Sequence, residues 1–170
     1  AVSVAHLGLV ARLIAPAVGA AALGATLPSA AAGLWWQDEL GGPYPLSVAR
    51  PGPGPGVASD ERCGRDALRL PGSPVEAITD ACLAAYSVSA RVLWGNVASA
   101  AVSAAGLVGA ARPDLAGRAR DAADALLADH RVEGGTLRAG PGFRRRSCCL
   151  IYRLVGSTAA VCGDCVLGAA

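Results

Sequence analysis

At 170 residues the chain is long enough for one domain with a core and too short to divide safely into two; much of its 53% hydrophobic content is alanine, with no methionine and one phenylalanine. A net charge of +2, with both signs spread along the chain, makes no field that would gather nucleic acid, so nucleic acid is not expected as a partner. All 15 basic residues are arginine, which excludes a glycine-rich phosphate loop ending in lysine and a pyridoxal phosphate Schiff base.

Residues Val2 to about Ala25 predict a long, apolar, central helix. The apolar run lacks a basic leader and carries His6, Arg12 and Pro16, so no export signal is expected. Leu13 to Trp36 and Val92 to Ala111 are free of charge over 24 and 20 residues, lengths that fit a bilayer. Pro16 and Pro28 break the first, Asn96, Ser99 and Ser103 interrupt the second, and alanine adds little to insertion, so buried or half-buried helices are expected instead.

Gly33 to Trp36 and Tyr44 to Val48 flank the turn residues Asp38 to Pro43 and predict a short hairpin, with Trp35 and Trp36 as its core and rim. Pro51 to Gly56 alternates proline and glycine and cannot hold a helix, so 51–72 is a linker between two halves of one domain: 1–50, and 73–143 followed by 144–167. At Ser73-Pro74-Val75-Glu76 a hydroxyl cap, a proline at the first helical position and a carboxylate three residues after the cap announce a helix, with Ile78, Ala81, Ala85 and Val88 on one face. A second helix follows from about Arg91 to Ala111. A third begins at Pro113-Asp114, with a stripe of Leu115, Ala119, Ala122 and Leu126 and a wet side carrying Arg120 and Asp124. The fold class is mainly α: a helical bundle with a small β-hairpin and an irregular carboxy-terminal loop.

Within these helices Trp94 reads as a core residue beside one satisfied polar neighbour, Asn96, in preference to a pocket lining. His6 on an apolar face and His130 near a helix end read as structural, and no serine–histidine–acid arrangement is present to support nucleophilic catalysis.

The chemistry therefore falls to the cysteines. Cys82 lies in a helix, where a free thiol acts as a small hydrophobe, and Cys63 has no partner motif. The other four read Cys148-Cys149, twelve residues, then Cys162-Gly163-Asp164-Cys165. A C-x-x-C pair places two sulfurs on one turn within reach of a metal. Adjacent cysteines diverge on an extended strand, so the backbone there must turn if both ligate. Structural zinc, two disulfides and an iron–sulfur cluster all compete for such thiols. Zinc loops usually present two spaced knuckles, and disulfides suit exported chains, so a two-iron, two-sulfur cluster leads.

The run Arg145-Arg146-Ser147-Cys148-Cys149-Leu150-Ile151-Tyr152-Arg153, followed by Cys162-Gly163-Asp164-Cys165, resembles the carboxy-terminal signature of the FhuF-like ferric-siderophore reductases. Leu34-Trp35-Trp36 and Leu93-Trp94-Gly95-Asn96 extend the resemblance upstream. It implies a cytoplasmic reductase, at most peripherally associated with the inner face of the plasma membrane, that passes one electron through a 2Fe–2S cluster to siderophore-bound Fe(III) and releases Fe(II). It further implies Cys148, Cys149, Cys162 and Cys165 as cluster ligands, a hydroxamate chelate as substrate, and a ferredoxin or flavin reductase as electron donor. The spacer Leu150 to Val161 is about two residues longer than the family's and removes no ligand. The chain is short for the family, which implies a truncated or reduced amino-terminal region. Arg144, Arg145, Arg146 and Arg153 flank the motif and could attract an anionic chelate or an acidic donor and raise the cluster potential; the plain alternative is a solvated basic loop. The competing functional class is a non-catalytic zinc- or cluster-binding protein that serves as a sensor or partner interface.

Overall fold

A computed structural model describes residues 1–25, 27, 34–37, 45–48, 68–133, 136–138, 142–157 and 161–167. Cys63, the Pro51 to Gly56 segment and the hairpin turn Asp38 to Pro43 lie outside them.

The first helix, α1 (Val2–Leu23), buries Ser3, His6, Val10, Ile14, Val18 and Ala22, a stripe at three- and four-residue spacing. Pro16 sits on the exposed side, where the donor it lacks disturbs no packed neighbour, and the helix runs through it. Gly24, at φ 72°, ends the helix, with its amide bonded to Ala21 O and that of Ala25 to Ala20 O. The stripe packs on α3 (Ala90–Ala111), the most enclosed helix, whose buried residues include Leu93, Val97, Ala98, Ala101 and Ala104. Alanine at these positions lets neighbouring helices approach closely. Both α1 and α3 are long and apolar enough to cross a membrane by length and composition; here they pack on each other.

Between them in sequence, α2 (Pro74–Ala85) starts as its residues predict: Ser73 Oγ accepts from the Glu76 amide at 3.2 Å. Its buried face is not the expected one. Val75 and Thr79 are buried, whereas Ala81 and Ala85 are exposed and Val88 follows the helix end. A polar Thr79 marks the inner face because it meets another polar group there, which a hydrophobic stripe cannot reveal. Leu68 and Leu70, within the expected linker, are buried in the core.

After a 3₁₀ turn at Pro113–Leu115, α4 (Ala116–Leu127) buries Ala119, Ala122, Ala123, Leu126 and Leu127 and leaves Arg120 and Asp124 wet, as expected. A single turn, α5 (His130–Glu133), carries Arg131, which pairs with Glu76 and Asp129 and lies 4.5 Å over the Trp94 ring. Trp94 is therefore core, while His130 is largely exposed.

Strands β1 (Leu34–Trp36) and β2 (Leu46–Val48) pair antiparallel, Trp35 opposite Ser47. Trp35 and Trp36 are 66% and 64% exposed, not core and rim, because a ribbon of two three-residue strands has no third layer to bury them. The fold is mainly α, with small antiparallel pairs and an irregular cysteine-bearing end.

Candidate metal centre

The cysteine segment is anchored before its first cysteine. Phe143 is buried in the core, and β4 (Arg144–Arg145) pairs antiparallel with β3 (Thr136–Arg138). The Arg145 amide donates to the Asp164 carbonyl at 3.1 Å, so main chain joins the two halves of the motif. Ser147 Oγ donates to the Arg91 carbonyl at 3.0 Å, and Ser99 Oγ donates to the Asp164 carboxylate. Arg91 and Ser99 both belong to α3, so one helix positions both cysteine pairs.

Directly after the adjacent cysteines the chain turns at Leu150, whose φ of 66° lies in the left-handed region. That conformation costs a residue with a Cβ roughly 1–2 kcal/mol, a local strain of the kind found at functional sites. The Leu150 amide folds back to donate to Cys148 Sγ at 3.3 Å. In the second half the Cys165 amide donates to Cys162 O at 3.0 Å, closing the C-x-x-C turn, and the Leu167 amide donates to Cys165 Sγ at 3.4 Å.

The sulfurs meet in crossed pairs: Cys149 Sγ and Cys162 Sγ are 3.6 Å apart, and Cys148 Sγ and Cys165 Sγ 3.7 Å. Two thiolates about 2.3 Å from one tetrahedral metal lie roughly 3.8 Å apart. Each pair is thus spaced as one edge of a metal's coordination. Among the described residues, no three cysteine, histidine or carboxylate side chains come together so as to hold one ion. Two close sulfur pairs, four thiols in all, make a donor set that fits a 2Fe–2S centre.

Cys149 and Cys165 are 1% exposed, while Cys148 and Cys162 are half-buried. Burial pushes the Cys148 and Cys162 thiols up, and the Asp164 carboxylate raises Cys162 further. Raised in this way, Cys148 and Cys162 hold their protons at neutral pH, so ligation by these two thiols releases protons.

The four flanking arginines divide. Arg146 and Arg153 are exposed, and Arg144 is half-buried with Nη1 donating to Cys165 O at 3.1 Å. Arg145 is neither a solvated basic residue nor open to a chelate: it is 0% exposed. Its Nη2 donates to Asn96 Oδ1 at 2.7 Å and to the Val92 carbonyl at 3.3 Å, while Nε and Nη1 have no partner among the described residues. Asn96 Nδ2 in turn bonds Ser3 O at 2.8 Å and His6 Nδ1 at 3.3 Å, and His6 Nε2 meets Thr79 Oγ1 at 3.0 Å. Asn96 and His6 were visible in sequence as polar breaks in apolar helices, but their joint attachment to Arg145 had no sequence signal.

A cleft of about 520 Å³ runs between α3 and α4, lined in part by Gly106, Gly109, Arg120, Phe143 and Asp164. Asp164 belongs to both the cleft wall and the C-x-x-C turn. Arg120 and Asp124, a helix-surface pair by spacing alone, also border it.

No curated protein and no solved structure matches the chain. Residues 145–167 match the family model of the FhuF 2Fe-2S C-terminal domain. That stretch contains all four paired cysteines and Arg145, and so the carboxy-terminal segment of this chain is similar to the FhuF 2Fe–2S domain, which supports a 2Fe–2S cluster as its cofactor.

Proposed function

We propose that the chain is a ferric-siderophore reductase. When bound, a 2Fe–2S cluster supplies single electrons at a potential set by its ligands, hydrogen bonds and exposure. The crossed thiol pairs carry this reading, since they suit a redox-active binuclear centre and sit where Cys148 and Cys162 are only half-buried. The substrate is Fe(III) held by hydroxamate oxygens, hard donors that grip Fe(III) far better than Fe(II). One electron from a donor of the ferredoxin or flavin-reductase class reduces the chelated Fe(III) to Fe(II), and the weakened complex releases it without breaking a covalent bond of the chelator. The chain needs no acid, base or nucleophile for this.

The cleft supports a chelate seat. Its volume falls within the ~300–1,000 Å³ of small-molecule sites, and Asp164 links its wall to the cysteine turn. The exposed Arg146 and Arg153 offer cations to an acidic electron donor. The reaction belongs in the cytoplasm under this reading, with peripheral association at the inner face of the plasma membrane.

Purified protein should be red-brown, hold iron and acid-labile sulfide in equal amounts and bleach on reduction. After dithionite is removed it should release Fe(II) from a ferric hydroxamate siderophore into a ferrous trap. A colourless, zinc-loaded protein overturns the reading; a coloured protein inert toward hydroxamate and catecholate chelates leaves a sensor or carrier in its place.

A further inference from the structure

The structure assigns to Arg145 a role in setting the charge balance of the cluster: we propose that its buried guanidinium, fixed by Asn96, is the internal counter-charge that favours cluster loading and raises the cluster's reduction potential. It rests on the cluster alone and not on the siderophore, so failure of the reductase assay leaves it standing.

A guanidinium removed from water without an anion is costly, and buried arginines are ordinarily paired with carboxylates. Arg145 is 0% exposed, both groups that accept its hydrogen bonds are neutral amide carbonyls, and Nε and Nη1 are unpartnered among the described residues. The missing negative charge is supplied by loading the site. Two ferric irons, two sulfides and four thiolates sum to a dinegative centre, and one electron makes it trinegative. A fixed cation nearby stabilises both states, the reduced one more.

The fold holds the guanidinium against the cysteine segment. A Cβ at Gly95 would lie 2.5 Å from Ser147 Oγ and 3.3 Å from Arg145 Nη2, so the glycine opens the space in which both rest against α3. Ser147 immediately precedes Cys148, and the Arg145 amide holds the second cysteine turn through Asp164. The hydrogen-bond directions also aim Asn96. Thr79 Oγ1 donates to Val75 O at 2.7 Å and so accepts from His6 Nε2–H. His6 Nδ1 is then an acceptor for Asn96 Nδ2, which leaves Oδ1 facing Arg145. Burial keeps His6 neutral, its pKa lowered to about 4, so the cation in this chain of contacts is Arg145.

The test compares Arg145→Gln, Arg145→Lys, Asn96→Asp and, as an exposed control, Arg146→Gln in the reconstituted full chain. Iron and sulfide per chain, the electron paramagnetic resonance of the reduced state and its midpoint potential are read in each. Arg145→Gln should lower loading and shift the oxidised-to-reduced ratio at fixed potential by about tenfold toward oxidised, ~59 mV for one electron. Arg145→Lys should recover most of that shift. Asn96→Asp, which sets a carboxylate against the guanidinium, should lower the potential in the same direction, and it decides the matter if Arg145→Gln does not fold. Wild-type loading and potential in Arg145→Gln, or an equal shift in Arg146→Gln, would overturn the proposal, as would an unchanged potential in a folded Asn96→Asp.

Discussion

The interior between α1, α3 and α4 and the interior beneath the cysteines are built from different material. The first is aliphatic and small: Val10, Ile14, Val18, Val97, Ala101 and Ala119 close it with no polar atom to satisfy. The second is polar and directed, a run of hydrogen bonds from Thr79 through His6 and Asn96 to Arg145, with Ser147 beside it. An apolar interior tolerates rearrangement and yields stability in proportion to area. A buried polar chain is favourable only in the geometry that pairs its members, and here Arg145 still holds Nε and Nη1 without a partner among the described residues. The bundle thus gives the domain its stability, and the polar chain fixes where the cysteine segment lies.

Substitutions should separate the two. The largest effect falls on the metal: Cys149→Ser or Cys165→Ser should abolish stable 2Fe–2S binding, read as iron and sulfide per chain, while the far-ultraviolet circular dichroism of the helices persists. Loss of helix along with the cluster would show that the bundle depends on the metal. Ile14→Ala, by contrast, should cost ~2–5 kcal/mol in denaturant unfolding and leave the spectrum of the loaded protein unchanged.

Acid probes the polar chain directly. His6 bonds Asn96 and Thr79, with Arg145 beyond Asn96, and its folded pKa lies near 4 against 6.5 in the unfolded chain. The unfolded state therefore binds the extra proton first. The His6 contribution is complete above pH 6.5, declines as pH falls toward 4 and amounts to at most ~3 kcal/mol. Denaturant midpoints against pH should show this slope in the wild type and lose it in His6→Gln.

The smallest effects come from two glycines of the same helix. Gly106 has nothing within 4 Å of an added Cβ, so Gly106→Ala should stabilise by up to ~1 kcal/mol. Gly95→Ala gains the same helical preference but drives into Ser147 Oγ, whose displacement costs ~1–3 kcal/mol. Near-neutral stability with weakened cluster retention is the expected result at Gly95, measured by cluster loss to a chelator.

The amino-acid order alone determined the helices and the ligand-bearing motif. The cap at Ser73, the charge-free run through α3 and the stripe on α4 are local patterns, set by residues within a few turns of one another. The cysteine pairs are likewise local, and their chemistry follows from the thiol itself. Tertiary structure decided what depends on residues distant in sequence. It turned Thr79 inward to meet His6, left Trp35 and Trp36 in solvent, and withdrew Arg145 from a run of three arginines that look alike in sequence. It also crossed the sulfur pairs, Cys148 with Cys165 and Cys149 with Cys162. Burial and pairing at these positions are properties of the space between elements, and neither periodicity nor motif spacing encodes which polar group will find which partner there.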